Sequence, residues 1–376
     1  MTAIEIRQII TKKQFREFLT FPWKIYRGDP LWVPPILADR WKAVDPQRGV
    51  FFQRGTAEFW GAYQDNKLVG TICTAIDYKA NENVSKKDCV FGFFECVNAR
   101  DVAFALFDHA KAWAIAHGQD SLYGPFNLDY EDGYGILVEG RDRPPVLLCG
   151  HTTDYYLGFI EAYGFEPGRG DNLAFARDLH GDMRGLEEIH AFAERVRQRK
   201  HYTVRHADFS RWKAEVDLVF DLINPSLEHL YGHVPWQREA LQELMEPFVQ
   251  IANPELILFA EDNGKPVGFF PALPNFNEAL IHANGLRYPW NYLQAWWYGH
   301  KQPKSAAIKS VLVLPEYWGS GVAILMFSEM AKRLLARGYD WVDLSLTSAD
   351  NPRTPVLAER MGASIYKRYR VFRLRF

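Results

Sequence analysis

Ser310-Val311-Leu312-Val313-Leu314-Pro315-Glu316-Tyr317-Trp318-Gly319-Ser320-Gly321-Val322-Ala323 decides how the rest of the chain is read. An apolar, strand-like run stops at Pro315, two glycines bracket Ser320, and helix-forming sequence begins at once. Glycine lets a backbone approach a ligand, and a helix start offers unpaired N–H groups and the positive end of its dipole. The stretch therefore reads as an anion site of the kind that holds a pyrophosphate. An ordinary strand-to-helix turn uses the same pattern, so a bare glycine pair does not decide the matter. Downstream, Ile324, Phe327, Met330, Ala331, Leu334 and Leu335 recur at three and four, which predicts a helix over 322–337 packed on a sheet by one face. Strands are expected over 202–207, 256–262, 266–273, 308–314, 341–346 and 365–376. Strands mixed with helices in this order make an α/β (α+β mixed sheet) domain.

The first half of the chain repeats this plan. Trp60 to Gly70 and Phe259 to Gly268 both read as strand, polar turn and strand, and their closing glycines are 268 − 70 = 198 residues apart. Arg7 and Arg205 near the two starts, and Gly164 and Gly362 near the two ends, keep the same offset. Between these markers the register slips: Gly118 and Gly338, each closing a long helix, are 338 − 118 = 220 apart. Insertions at 272–305 in the second half and 127–150 in the first account for the slip and the recovery. The expected organisation is a first copy at 1–180, a connecting helix at 181–200 and a second copy at 201–376.

At 376 residues the chain is long for one core, with 48% apolar and 24% charged residues as in an ordinary globular protein. A formal charge of −2 provides no global attraction to nucleic acid or to an anionic membrane. The sequence contains neither a secretory leader pattern nor a spanning segment. Its four cysteines, in strand-like contexts without CxxC spacing, suggest reduced, buried thiols and a cytoplasmic setting.

Strand-Pro-Glu-Tyr-x-Gly-x-Gly leading into a long amphipathic helix resembles motif A of the GNAT acyltransferases, and Asp350-Asn351 with Arg360-Met361-Gly362 resembles their motif B. Phrases such as Asp29-Pro30-Leu31-Trp32-Val33-Pro34-Pro35 and Leu122-Tyr123-Gly124-Pro125 resemble a bacterial tandem-GNAT family. The resemblance implies two tandem GNAT-like domains, each with a V-shaped opening between its fourth and fifth strands, with acetyl-CoA or another acyl-CoA held by Val313, Leu314, Trp318, Gly319, Ser320, Gly321, Val322, Ala323 and Asn351. It implies an oxyanion donor among the backbone N–H groups around Val313 and Leu314. Trp318 stands where the family has a basic or amide residue, and Ala358 stands where it often has a tyrosine. The first half, with Asn98-Ala99-Arg100-Asp101 at the matching turn, has no glycine pair and reads as a wall for the second.

Side-chain chemistry is sparser. Asp343, Ser345 and Thr347 alternate on one predicted strand, so Ser345 is a candidate for the cleft, although an outward face under a helix fits equally. The aromatic insertion reads as a substrate-facing lid with Asn275 and Asn277 as polar anchors, against the alternative of an interface between the copies. Glu228 or His229 is a candidate general base, and His229 with His233 lacks a third metal ligand, so no metal is expected. Lys367, Arg368, Arg370, Arg373 and Arg375 read as a solvated terminal strand, with a CoA 3′-phosphate or RNA as sharper alternatives. The expected function is acyl-CoA-dependent N-acyl transfer to a small-molecule amine or amino-acid-like acceptor. The alternatives are a non-catalytic CoA or small-ligand binder and an aminoacyl-tRNA-dependent transferase of tandem GNAT fold. Membrane and nucleic-acid partners are not expected, and a homodimer stays open.

Overall fold

The computed structural model describes residues 3–128, 135–181, 183–228, 235–239, 241–242, 245–246, 252–309, 311–351 and 354–376. Two mixed sheets form the framework. In the first, β1 (Glu5–Gln8), β2 (Gly55–Gln64), β3 (Lys67–Asp77), β4 (Asp88–Cys96) and β5 (Ser121–Gly124) lie in sequence order, followed by β16 (Phe372–Arg375) and β7 (Glu166–Pro167). In the second, the order is β6 (Ile136–Glu139), β15 (Ser364–Arg370), β8 (Asn172–Asp178), β14 (Trp341–Ser348), β12 (Ser305–Ile308), β11 (Lys265–Pro274), β10 (Ile257–Asp262) and β9 (Tyr202–His206). The short β13 (Leu312–Val313) continues the line of β12 and pairs with β11.

The repeat is visible in the elements. β11 begins 265 − 67 = 198 residues after β3, β14 begins 341 − 121 = 220 after β5, and β15 begins 364 − 166 = 198 after β7. Each copy places a long helix on its sheet: Arg100–Ala116 in the first and Val322–Ala336 in the second. Both present a face of fully buried residues, including Leu106, Phe107 and Ala110 on one and Leu325, Met326 and Met330 on the other.

Sheet membership does not follow the division at residues 180 and 200. β6 and β8, from the first half, belong to the second sheet, while β16, at the end of the chain, pairs with β5 of the first. The two copies thus exchange their terminal strands. The reason is local: β15 and β16 are separated by a single residue, Val371, buried at the crossing between the sheets. The expected strand at 308–314 divides into β12 and β13: Lys309 still donates its N–H to the Pro271 carbonyl (3.1 Å), and the register on β11 then shifts by one residue before Leu312. The connecting helix, Met183–Arg199, packs against Val322–Ala336, with His190 and Ser328 in side-chain contact at 2.6 Å.

Candidate active site

In the second sheet, β12 and β14 run parallel only from Ser305↔Trp341 to Ala307↔Asp343. Beyond that point β14 follows β8 and the other strand follows β11, so a wedge opens between Lys309–Val313 and Leu344–Ser348. Leu314 donates its N–H to Val267 (3.0 Å), so it is spent in the ladder and is no oxyanion donor. By the alternation of an antiparallel pair, Val313 must then turn its peptide groups away from β11 and toward the wedge. Its carbonyl indeed accepts the Trp318 indole N–H at 2.9 Å. The last ladder pair between the two strands is Ala307 with Asp343.

The first sheet opens in the same place and is plugged. β4 and β5 pair only over Asp88–Val90, after which the chain beyond β5 folds back: Phe126 donates to the Phe91 carbonyl (2.8 Å) and Phe93 donates to Asn127 Oδ1 (2.7 Å). Tyr155 donates to the Cys96 carbonyl and Tyr156 to Glu95 Oε2 (2.8 and 2.7 Å), filling the remaining space. Burial pushes the Glu95 carboxyl up to about 7 against the pull of that hydrogen bond. Nearby, His151 and Asp29 meet at 2.7 Å, and burial holds the imidazole below its ordinary value.

The point where the strands part is charged. Asp343 is fully buried and receives the Ser345 N–H (2.9 Å), the Tyr366 hydroxyl (2.8 Å) and the Lys309 ammonium (3.5 Å). Ser345 sits at φ 71°, a left-handed conformation that a serine adopts only when its surroundings impose it. The imposed feature is a bulge between Asp343 and Leu346 that re-aims β14 at the wedge. The simple alternation expected for Asp343, Ser345 and Thr347 is broken there. Burial, then the facing Asp343 charge, drives the Tyr366 hydroxyl well above the ordinary tyrosine range, so it keeps its proton. Behind this group, Lys367 is buried and donates to the Gly140 and Arg143 carbonyls, and burial pulls it down to about 8.

The glycine loop presents a bare helix start. The Val322–Ala336 helix has no acidic residue in its first turn and no side-chain cap from Gly321; Ser320 Oγ reaches only the Val322 N–H, at 3.4 Å. Its counterpart in the first half carries Asp101 in the first turn. Gly319 (φ 77°) has open space where a Cβ would be. Gly321 (φ 97°) does not, since a Cβ there would lie 2.7 Å from Val196 Cγ2 of the connecting helix. Helix packing therefore demands glycine at 321 whether or not a ligand is bound. Val322 is buried beneath the loop and Ala323 half-buried at its edge. Asn351, expected at the cofactor, instead accepts the Thr354 N–H (3.2 Å) and caps the Thr354–Arg360 helix.

The remaining sequence candidates separate from the apex. Asn275 donates to Ser305 Oγ (3.0 Å) and Asn277 to the Pro145 carbonyl (2.9 Å), so both are buried braces. They also border a pocket of about 380 Å³ together with Arg143, Glu278, Lys304 and Trp341. Arg143 lies over the rings of Trp341 and Tyr366, which places this pocket beside the Asp343 group. Glu228 is exposed at the end of the Trp212–Leu227 helix and is not among the residues around Asp343. His229 and His233 lie outside the described residues, and no cluster of metal-binding side chains occurs among those described.

The aromatic insertion divides in two. Its start is an interface between the copies: Trp23 donates to Asn284 Oδ1 (2.6 Å), and Arg287 lies 4.7 Å over the Trp23 ring. Its second part, the helix Pro289–Gly299, is exposed. The terminal basic residues are not a solvated strip. Arg368 and Arg370 grip Asp171, Arg373 pairs with Asp88, and Lys367 is buried. Lys309 and Tyr366 went unrecognised in the sequence. The legible signal was a lysine inside the apolar run Ala306-Ala307-Ile308-Lys309, since a lysine is almost never buried without a partner.

Residues 217–363 match the family model for the Acetyltransferase (GNAT) family. The chain is 27% identical to Protein YghO of Escherichia coli (strain K12) over 98% of its own length and 94% of that protein's. It is 26% identical to the bacterial ceramide synthase of Caulobacter vibrioides (strain NA1000 / CB15N), over 98% and 97% respectively. The structure resembles a tandem GNAT protein from the clavulanic acid biosynthesis pathway, with a TM-score of 0.57, 12% identity, and 99% of this chain and 98% of that one covered. With its two mixed sheets, its internal repeat and the acetyltransferase match in its second half, this chain is a tandem GNAT-fold protein.

Proposed function

We propose that the chain is an N-acyltransferase that moves an acyl group from acyl-CoA to an amine, and that the reaction takes place in the second wedge. One observation carries this reading: the strands beside the glycine loop part next to a buried Asp343–Lys309–Tyr366 group, whereas the matching gap in the first sheet is bridged by its own chain. The bare start of the Val322–Ala336 helix suits the pyrophosphate. With the thioester in the wedge, Lys309 supplies positive charge to the carbonyl oxygen as it becomes an oxyanion, and Asp343 holds Lys309 in place. Tyr366 keeps its proton and donates it to Asp343 in a hydrogen bond, so it holds that carboxylate in place; the proton that the amine loses as the C–N bond forms goes to the CoA thiolate released as the C–S bond breaks. The relative named a ceramide synthase, matched along nearly all of both chains, favours a long-chain amino-alcohol acceptor over a small amine, because a ceramide is the amide of such an amine.

The test is product analysis by mass spectrometry after mixing the purified chain with acetyl- or palmitoyl-CoA and a panel of amines, from amino acids to sphingoid bases. An amide with a sphingoid base is expected. Lys309→Met should lower kcat by about 100-fold or more while CoA affinity changes little. No amide from any pairing, by a protein that binds CoA, would refute acyl transfer.

A further inference from the structure

The Pro289–Gly299 helix stands out from the body of the protein. Trp290, Tyr292, Leu293, Trp296 and Trp297 are between 56% and 69% exposed, and only Asn291, Ala295 and Tyr298 form an inner stripe against the chain. Its attachment is firm: Asn291 is buried and closes a capping box with Tyr288, and Tyr298 stacks on His282 at 4.0 Å. Exposed apolar area on this scale marks a surface with a partner.

The charges around it identify the partner. From Ala279 to Pro315 the sequence contains no aspartate or glutamate, while Arg287 precedes the helix and His300, Lys301 and Lys304 follow it. Indole and phenol rings prefer the boundary where one end is apolar and the other wet, and cations beside them complement anionic headgroups. At 11 residues the helix is about 16 Å long, too short to cross a bilayer but long enough to lie in its surface. We propose that this helix docks the protein on an anionic phospholipid membrane, with Trp290, Leu293 and Trp297 in the headgroup region and the flanking cations on lipid phosphates. The net charge of −2 hides this region; of the acids that come near it, Glu278 is taken up by the Lys304 and Ser305 N–H groups and Asp340 faces His180. The pocket beside Asp343 shares Lys304 with the same surface, so its mouth lies near the docked face. Docking does not depend on the acyl-transfer reading and is measured without any acyl donor.

The experiment is co-flotation of the full-length protein with vesicles of phosphatidylcholine alone or mixed equally with phosphatidylglycerol. Wild type should float with the anionic vesicles and lose binding as salt is raised. The Trp290→Ala/Leu293→Ala/Trp297→Ala variant should bind at least about tenfold more weakly with an unchanged circular dichroism spectrum, since these side chains support no core. Lys301→Glu/Lys304→Glu should lose the preference for anionic lipid. Wild type that fails to float, or a triple variant that floats as well as wild type, overturns the proposal. So does wild type that dimerises without lipid while the triple variant stays monomeric, because the helix would then be a protein–protein face.

Discussion

Gly319 and Gly321 look equivalent in the sequence, and the structure gives them different tasks. Gly321 combines a positive φ with the side chain of Val196 where a Cβ would go, so Gly321→Ala should cost about 1–3 kcal/mol and lower Tm whether or not CoA is present. Gly319→Ala meets only the backbone penalty of about 1 kcal/mol, yet it puts a methyl group on the open side of the loop. Calorimetric melting and CoA titration of both variants separate the roles: Gly321→Ala should be the less stable and Gly319→Ala the weaker binder. Equal melting temperatures would remove the packing argument. Glu95 provides a second residue-scale test. Its folded pKa of about 7 exceeds the ordinary 4.5, so the folded chain holds this proton more tightly than the unfolded chain. The stability it contributes is complete below pH 4.5 and is lost as the pH rises through 7. Glu95→Gln keeps an acceptor for Tyr156 without the buried charge, so at pH 8 it should be about 1–3 kcal/mol more stable than wild type, and near parity at pH 4.5. Urea unfolding at the two pH values measures this, and no gain at pH 8 would mean that the carboxylate ionises there without penalty.

At the scale of elements, hydrophobic periodicity and punctuation made most of the fold legible. The helix at Val322–Ala336, the hairpin at β10 and β11 and the offset of 198 all follow from apolar spacing and turn residues, which act over a few neighbours. The wedge was legible only through the family resemblance, and its chemistry was not, because bulges depend on what lies across the sheet. A lysine in an apolar run signals that Lys309 needs a partner, but not that the partner is Asp343 on the neighbouring strand, nor that Asp343 takes the Ser345 N–H at a bulge. The bulge itself can be tested. Ser345→Gly relieves a φ of 71° and should raise stability by about 0.5–1 kcal/mol, whereas Ser345→Val should lower it by about 1–3 kcal/mol. A glycine variant less stable than wild type would show that the serine side chain, rather than the Asp343 hydrogen bond, holds the bend.

For the whole molecule, the exchanged strands determine what kind of folding unit the chain is. A reading of two beads on a string predicts that residues 1–180 and 201–376 fold alone, and it arises because the repeat marks where each copy ends but not where its last strand goes. In the structure, residues 1–180 lack β16, which pairs with β5 and β7, while 201–376 lack β8, the strand between β14 and β15. Val371 and Phe372 are buried in the first copy, and Leu173, Ala174 and Phe175 are buried in the second. Burying one large apolar side chain contributes roughly 1.5–3 kcal/mol, and a whole domain has only about 5–15 kcal/mol to lose. Deleting residues 371–376 removes Val371, Phe372 and the Arg373–Asp88 pair together, which should exhaust the stability of the first sheet. The second should follow, since β6 and β8 leave the first half only to reach it. Full-length protein is therefore expected to give one calorimetric transition, with equal calorimetric and van't Hoff enthalpies, and the truncated chain no native transition in either half. Two resolved transitions in the intact protein, or a folded fragment 1–180, would show that the exchanged strands decorate two independent domains instead of joining them.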